Sequence, residues 1–435
     1  MKKLMIVLVV LSLSLTSACD ILEDIIDKDS SEENTGYIKS SLSRETSPEI
    51  DPEVLAIIAG ETTDFALAFY NAINEGSDNL VFSPFSISLA LSMALAGAET
   101  TTEAGMLEAL QFTLPEVDIH PAFNALLLEI EESQQGAKGK DKDDEFKLNI
   151  ANSIWGQSGF DFKEIFLDTL AQNYGAGIYN VDFKQYPEDV RVAINDWVEK
   201  ETEEKIKDLI PSGAINPLTR LVLANAIYFN GSWLYPFDEE NTYEADFTLL
   251  DNSKTTVDMM SLPGEEFKYF QGENYQAVQL PYFSTDFVMT IIVPDNGAFP
   301  DVENALSSEM LTEILNNVTQ QPVDLQMPKY DFETTVNANQ PLSALGMAEA
   351  FSSEDADFSG ITESEELYIT DVLHKATITV DEGGTEAAAA TAIIFGLKSV
   401  LPEEAVSLVI DSPFLFFIQH GTTGAILFMG RVTQP

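Results

Sequence analysis

Asp381-Glu-Gly-Gly-Thr-Glu-Ala-Ala-Ala-Ala-Thr-Ala392 sets two glycines and a threonine against a nearly unbroken alanine run. Alanine is the best helix former, and on that ground alone the stretch reads as a surface helical turn. The glycine pair argues against a helix, because it leaves the backbone free to change angles at the start of the segment. As a strand, Thr385, Ala387, Ala389, Thr391 and Ile393 share one face, and Glu386, Ala388, Ala390, Ala392 and Ile394 share the other. Neither face carries bulk before Ile393, and Glu386 is the only charge. Such a segment can lie exposed as a loop, or slide between two existing strands without steric penalty.

Further stretches stand around it in a fixed order: Asn79-Leu-Val-Phe-Ser-Pro-Phe-Ser-Ile-Ser88, Leu223-Ala-Asn-Ala-Ile-Tyr-Phe-Asn-Gly-Ser-Trp233, Leu280-Pro-Tyr282, Met327-Pro-Lys329, His374-Lys-Ala376, Pro413-Phe-Leu-Phe-Phe417 and Phe428-Met-Gly-Arg-Val432. As a set they resemble the serpin family, from about residue 55 to the C-terminus. The resemblance implies an α+β fold with three β-sheets, about nine helices and an exposed reactive-centre loop near residues 382–404. Glu382 then opens the hinge of that loop, Gly384 and Thr385 are its pivot, and Ala387, Ala388, Ala389 and Ala390 follow.

Composition limits what the chain does. The hydrophobic fraction of 45% is ample for a large core, and the formal charge of -50 makes nucleic acid or another polyanion an improbable partner. Some serpins bind heparin through a basic helix, but the corresponding stretch here, around Ala122–Ser133, is acidic and apolar, so no heparin site is expected. Lys138, Lys140 and Lys142 read as a solvated polar loop among acids. Residues 1–19 carry Lys2 and Lys3, an apolar run from Leu4 to Leu15, and small residues before Cys19, which reads as a secretion signal. Cys19 is the only cysteine and sits where a bacterial lipoprotein is cut and acylated, although Thr16 replaces the usual leucine three residues before it. Lipidation there leaves no thiol for disulfides and gives a membrane anchor, expected at the outer membrane or cell surface. Residues 20–53 read as a disordered acidic tether about 30 Å long as a flexible coil, with the serpin domain over residues 54–435.

The pattern predicts a first helix over about Val54–Asn74, a buried helix starting at Pro84, and a polar helix over Pro187–Lys207. Strands are expected at Lys147–Trp155, Leu221–Phe229, Ala277–Tyr282, Phe287–Val293 and Ala425–Val432. The absence of a βαβ rhythm argues against a parallel doubly wound sheet.

No catalytic or metal-ligating arrangement is visible, and no cofactor is expected. His120, His374 and His420 lack ligand spacing, and Gly156-Gln-Ser-Gly159 lacks the spacing of a nucleophile elbow. Ser83, Ser86, Asn225 and His374 match positions that in serpins form a polar cluster beneath the central sheet, the shutter. Taken without the resemblance they read as ordinary satisfied core polarity. Trp233, Lys329 and Glu382 match the breach, where the loop first meets the sheet. There Lys329 and Glu382 are expected to pair at the surface, which is worth about 0–1 kcal/mol.

Seventeen residues counted from Glu382 reach Lys398, so the family's spacing implies a reactive bond at Lys398–Ser399. A lysine there suits the acidic pocket of a trypsin-like serine protease. The fifteen residues from Lys398 to Pro413 exceed the family's usual span, and Phe395 and Leu397 stand as alternative cleavage sites for other serine or cysteine proteases. The resemblance implies a monomeric suicide substrate that traps its protease by inserting the cut loop. The rival is a non-inhibitory serpin acting as a binding module or surface lipoprotein.

Overall fold

The computed structural model describes residues 36–74, 76–136, 146–283, 286–363, 367–385 and 405–435. Cys19, the segment Glu386–Ala390 and the Lys398–Ser399 bond lie outside the described residues.

Helix α1 (Pro52–Ile73) begins where Asp51 accepts a hydrogen bond from Glu53 N, with proline in its first turn. Strand β2 (Leu80–Phe82) leads to α2 (Pro84–Leu95), which is capped by the Ser83 hydroxyl and buried along its whole length. This explains why the Phe82–Ala98 stretch carries so few polar residues other than serine. Helices α3 (Thr100–Ala109) and α4 (Glu116–Gly136) follow, then β3 (Lys147–Gln157), α5 (Glu164–Thr169) continuing in a π-turn (Leu170–Tyr174), and β4 (Ile178–Val181). The polar helix α6 (Pro187–Glu201) stops earlier than its composition suggests. Glu203 and Glu204 take positive φ of 52° and 64°, and the Thr202 hydroxyl bonds back to Val198 O, so the chain turns before Lys207.

The remainder runs through β5 (Leu221–Ser232), β6 (Tyr243–Thr248), β7 (Lys254–Gln271), β8 (Tyr275–Pro281), β9 (Phe287–Pro294), α7 (Phe299–Asn304), α8 (Ser308–Asn317), β10 (Thr319–Pro328), β11 (Tyr330–Asn337) and α9 (Asn339–Leu342). It closes with β12 (Asp371–Val380), β13 (Gly384–Thr385), β14 (Val406–Val409), β15 (Phe414–His420) and β16 (Ile426–Val432). Nine α-helices therefore occur among the described residues.

These strands form two sheets among the described residues, where three were expected. One is nine-stranded, with the order β14-β10-β7-β8-β9-β15-β16-β2 and β6 pairing with the long β7 off that path; a third sheet is not seen among the described residues. The other sheet has the order β1-β4-β3-β5-β13-β12-β11. Its first strand, β1 (Gly36–Ile38), is a second departure. Part of the expected acidic tether is ordered, because Gly36–Ile38 pairs antiparallel with β4. The core fills the space between the sheets and around α2. A smaller cluster with Trp155, Ile194, Val222, Ala224 and Leu373 lies on the α6 side of the seven-stranded sheet.

Gly430 in β16 shows how tightly this core is built. A Cβ there would stand 2.2 Å from Leu80 O and 2.6 Å from the Phe416 ring. Gly430→Ala is expected to destabilise the fold by about 1–3 kcal/mol, read as a lower melting temperature.

Candidate functional site: the seam of the seven-stranded sheet

The seven-stranded sheet has one unusual line. Strands β5 and β12 pair parallel from Val222↔Asp371 to Ile227↔Ala376, and above that the two residues of β13 sit between them. Gly384 is opposite Ser232, and Thr385 is opposite both Gly231 and Val380. Glycine is needed at 384, because a Cβ there would lie 2.1 Å from Gly231 O. Thr385 is buried, and its hydroxyl lies 2.7 Å from Tyr282 OH beneath the sheet.

The breach residues converge on this point. Trp233 stacks on Tyr282 with ring centroids 4.7 Å apart and donates from Nε1 to Asp381 O at 3.1 Å. Its backbone N–H donates to Gly383 O, and Phe237 N donates to Glu382 O. Lys329 Nζ lies 2.6 Å from Glu382 Oε2, while Thr242 Oγ1 donates to Glu382 Oε1 at 2.6 Å. The pair is only half at the surface, for the Lys329 side chain is 36% exposed and the Glu382 side chain 8%. Burial pushes the Glu382 carboxyl up, but the Lys329 and Thr242 bonds outweigh that and hold it below the usual carboxylate range. A buried, doubly bonded carboxylate fixes the hinge more firmly than an exposed ion pair would.

Lower on the same seam lies a row of polar side chains. Asn152 on β3 is opposite Asn225 on β5, which is opposite His374 on β12. Ser83 N donates to His374 Nε2 at 3.0 Å, and His374 Nδ1 donates to Asn225 Oδ1. Asn225 Nδ2 donates to Ser86 Oγ at 2.6 Å and also to Asn152 Oδ1. The Ser86 hydroxyl donates in turn to Asn152 Oδ1 at 3.1 Å, and the Asn152 amide returns a bond to Ser86 O. The structure thus brings Ser83, Ser86, Asn225 and His374 together and adds Asn152. That residue was missed because Asn149 and Asn152 are both polar members of one strand, and pairing register alone separates them. Each histidine nitrogen has one partner, so the ring is neutral, and burial drives its pKa down to about 3.

Its hydrogen bonds couple three strands and the start of a helix. The described residues form an α+β architecture of two sheets, with β13 seated between β5 and β12 at one end of the seam. The chain matches the profile described as Serpin (serine protease inhibitor) over residues 60–435, and it belongs to that family. It is 38% identical over 388 residues to the leukocyte elastase inhibitor of Sus scrofa, covering 87% of this chain and 99% of that one. The human leukocyte elastase inhibitor is 34% identical over the same shares. Among solved structures, the native state of the thermophilic serpin tengpin superposes with a TM-score of 0.79 at 27% identity, over 93% of this chain and 100% of that one. Thyroxine-binding globulin complexed with thyroxine gives 0.76 at 29% identity, over 87% and 99%.

His374 has a folded pKa below its unfolded value, so the unfolded chain binds the extra proton first. The stability it contributes is whole above about pH 6.5 and is lost as pH falls toward 3, by about 2–3 kcal/mol at pH 4.5. Melting temperature followed from pH 7 to 4.5 should fall, and His374→Gln should flatten the slope.

Proposed function

We propose that this chain is a suicide-substrate inhibitor of a serine protease, driven by insertion of its cut reactive-centre loop into the β5–β12 seam. The observation that carries the reading is the seating of Gly384–Thr385 between those strands. If the chain continued in the register of β13, Ala387 would fall opposite Phe229 and Ile378, and Thr391 opposite Asn225 and His374. Asn225 and His374 are themselves paired across the closed part of the seam, so the two registers meet on one pair. The Thr385–Ala387–Ala389–Thr391 edge would face the core beneath Thr385, and the alanines at 388, 390 and 392 would face the α6 side. Small side chains suit both.

Some ten new backbone hydrogen bonds at about 1 kcal/mol each would release on the order of 10 kcal/mol. A protease joined to the loop through its acyl bond would be carried along and its active site distorted. Lys398 would present the reactive bond to Ser399, and a trypsin-like target follows from its charge. The names of the leukocyte elastase inhibitors favour Phe395 or Leu397 as a second point of attack by an elastase-like protease. Lipidation at Cys19 would hold the inhibitor at a membrane, outside the cytoplasm.

Incubation with a trypsin-like protease should give an SDS-resistant covalent complex, and mass spectrometry of the released peptide should begin at Ser399. Clean release of two fragments with active protease would contradict inhibition. Thr385→Arg forces a charge into a buried seat and should turn the inhibitor into a substrate, with cleavage retained and the complex lost; an unchanged inhibition rate would remove the hinge from the account.

A further inference from the structure

The pairing registers of the seven-stranded sheet fix the place where the chain enters it. At one end of β5, Thr385 is opposite Gly231, and Lys147 of β3 is opposite the neighbouring Asn230. At the other end Leu221 of β5 is opposite Gly156 of β3. Gly156 is in turn opposite Asn180 of β4, and Asn180 is opposite Gly36 of β1. Gly36 therefore stands level with Leu221, ten positions down β5 from Gly231. Along the strands that is about 33 Å from the seat of Thr385. Strand β4 runs parallel to β3, and β1 runs antiparallel to β4. From Ile38 back to Gly36 the chain thus points away from the end that carries the loop.

The same registers set where an inserted loop would finish. Continued from β13, Phe395 would come opposite Leu221, and Lys398 would lie three residues past the last paired level. A protease joined there would hang off the sheet at the level of Gly36. Strands β4, β3 and β5 stand between the two points, a sideways separation of about 19 Å. Residues 20–35 separate Cys19 from Gly36, and a chain of that length spans at most ~55 Å. A protease domain of about 200 residues has a radius of gyration of about 16 Å and measures about 40 Å across. The formal charge of -50 also opposes the domain lying flat on an anionic leaflet.

We propose that the Gly36–Leu221 end of the sheet is the face turned toward a lipid surface, so that trapping carries the protease from the outer side to the membrane side. This rests on the functional reading above, on loop insertion and on the anchor at Cys19 alike. The uncut loop is offered away from the lipid, within reach of a protease arriving from outside. Insertion then brings that protease into the gap spanned by residues 20–35. Their length decides whether a body of that width fits, and the reaction completes only where it does.

Cys19 is the only cysteine, so residues 19–435 can be coupled through its thiol to a maleimide lipid. The vesicles are phosphatidylethanolamine and phosphatidylglycerol with an energy-transfer acceptor on a lipid, and the parent carries Lys28→Gln to keep trypsin off the connection. Donor-labelled trypsin is added either active or as anhydrotrypsin, which docks on the loop without cutting it. Energy transfer to the lipid should be low for the docked complex and should rise when active trypsin is trapped. A chain lacking residues 23–34 should lose the SDS-resistant complex on vesicles and release cut inhibitor with active trypsin, yet trap normally when uncoupled in solution. If the shortened chain fails in solution too, the transfer measurement on the parent decides alone. Equal or lower transfer after trapping, or a shortened anchored chain that traps as well as the parent, overturns the proposal. Loop insertion stands in that case, provided the uncoupled parent forms its complex. If the uncoupled parent forms none with trypsin or an elastase-like protease, the functional reading fails and this orientation fails with it.

Discussion

A buried polar row closed by its own hydrogen bonds governs this structure. Asn152, Asn225 and His374 cross three strands at one level, and Ser83 and Ser86 complete their bonding from the start of α2. An apolar seam of the same length would be sealed by packing, with no partner to offer an incoming strand. A half-bonded polar seam would be costly in both states. Here the row is satisfied in the closed state, and its hydroxyl and amide groups are of the kind that can exchange partners.

The rest of the molecule is arranged around that row. Above it, Trp233, Tyr282, Lys329 and Thr242 hold Glu382 to Thr385 in place, so the upper end of the sheet is already occupied. Beneath it, α2 is buried along its length and supplies both serines. On the other face, Asn195 bonds both Ile210 N and Ile210 O, keeping the turn after α6 against the sheet. Lys375 on β12 reaches that same turn at Lys207 O and pairs with Glu333 of β11.

Much of this was legible in the residues. The segment from Asp381 reads as strand-capable, and its described end, Gly384–Thr385, is a strand. Pro84 marks the start of α2, and the apolar runs place β8 and β9 within two residues and start β5 at Leu221 but stop three residues short of its end. Other features depend on facts that local pattern does not carry. The stop of α6 at Glu201 rests on two glutamates adopting positive φ, which their identity disfavours. Burial of Glu382 rests on Thr242, distant in sequence, coming to its second oxygen. The nine-stranded sheet rests on β7 running through 18 residues, long enough to pair with β6, β8 and β10. Ordering of Gly36–Ile38 could not be read from an acidic, serine-rich stretch, since its partners Asn180, Tyr179 and Ile178 are visible only once β4 is placed at the sheet edge.

The central claim is that the closed seam stores free energy, released when one more strand joins it. Calorimetry of the intact protein against the same protein cut once within residues 386–404, with both fragments retained, tests this most directly. The account predicts that the cut form melts well above the intact one; an equal or lower melting temperature after the cut would contradict it.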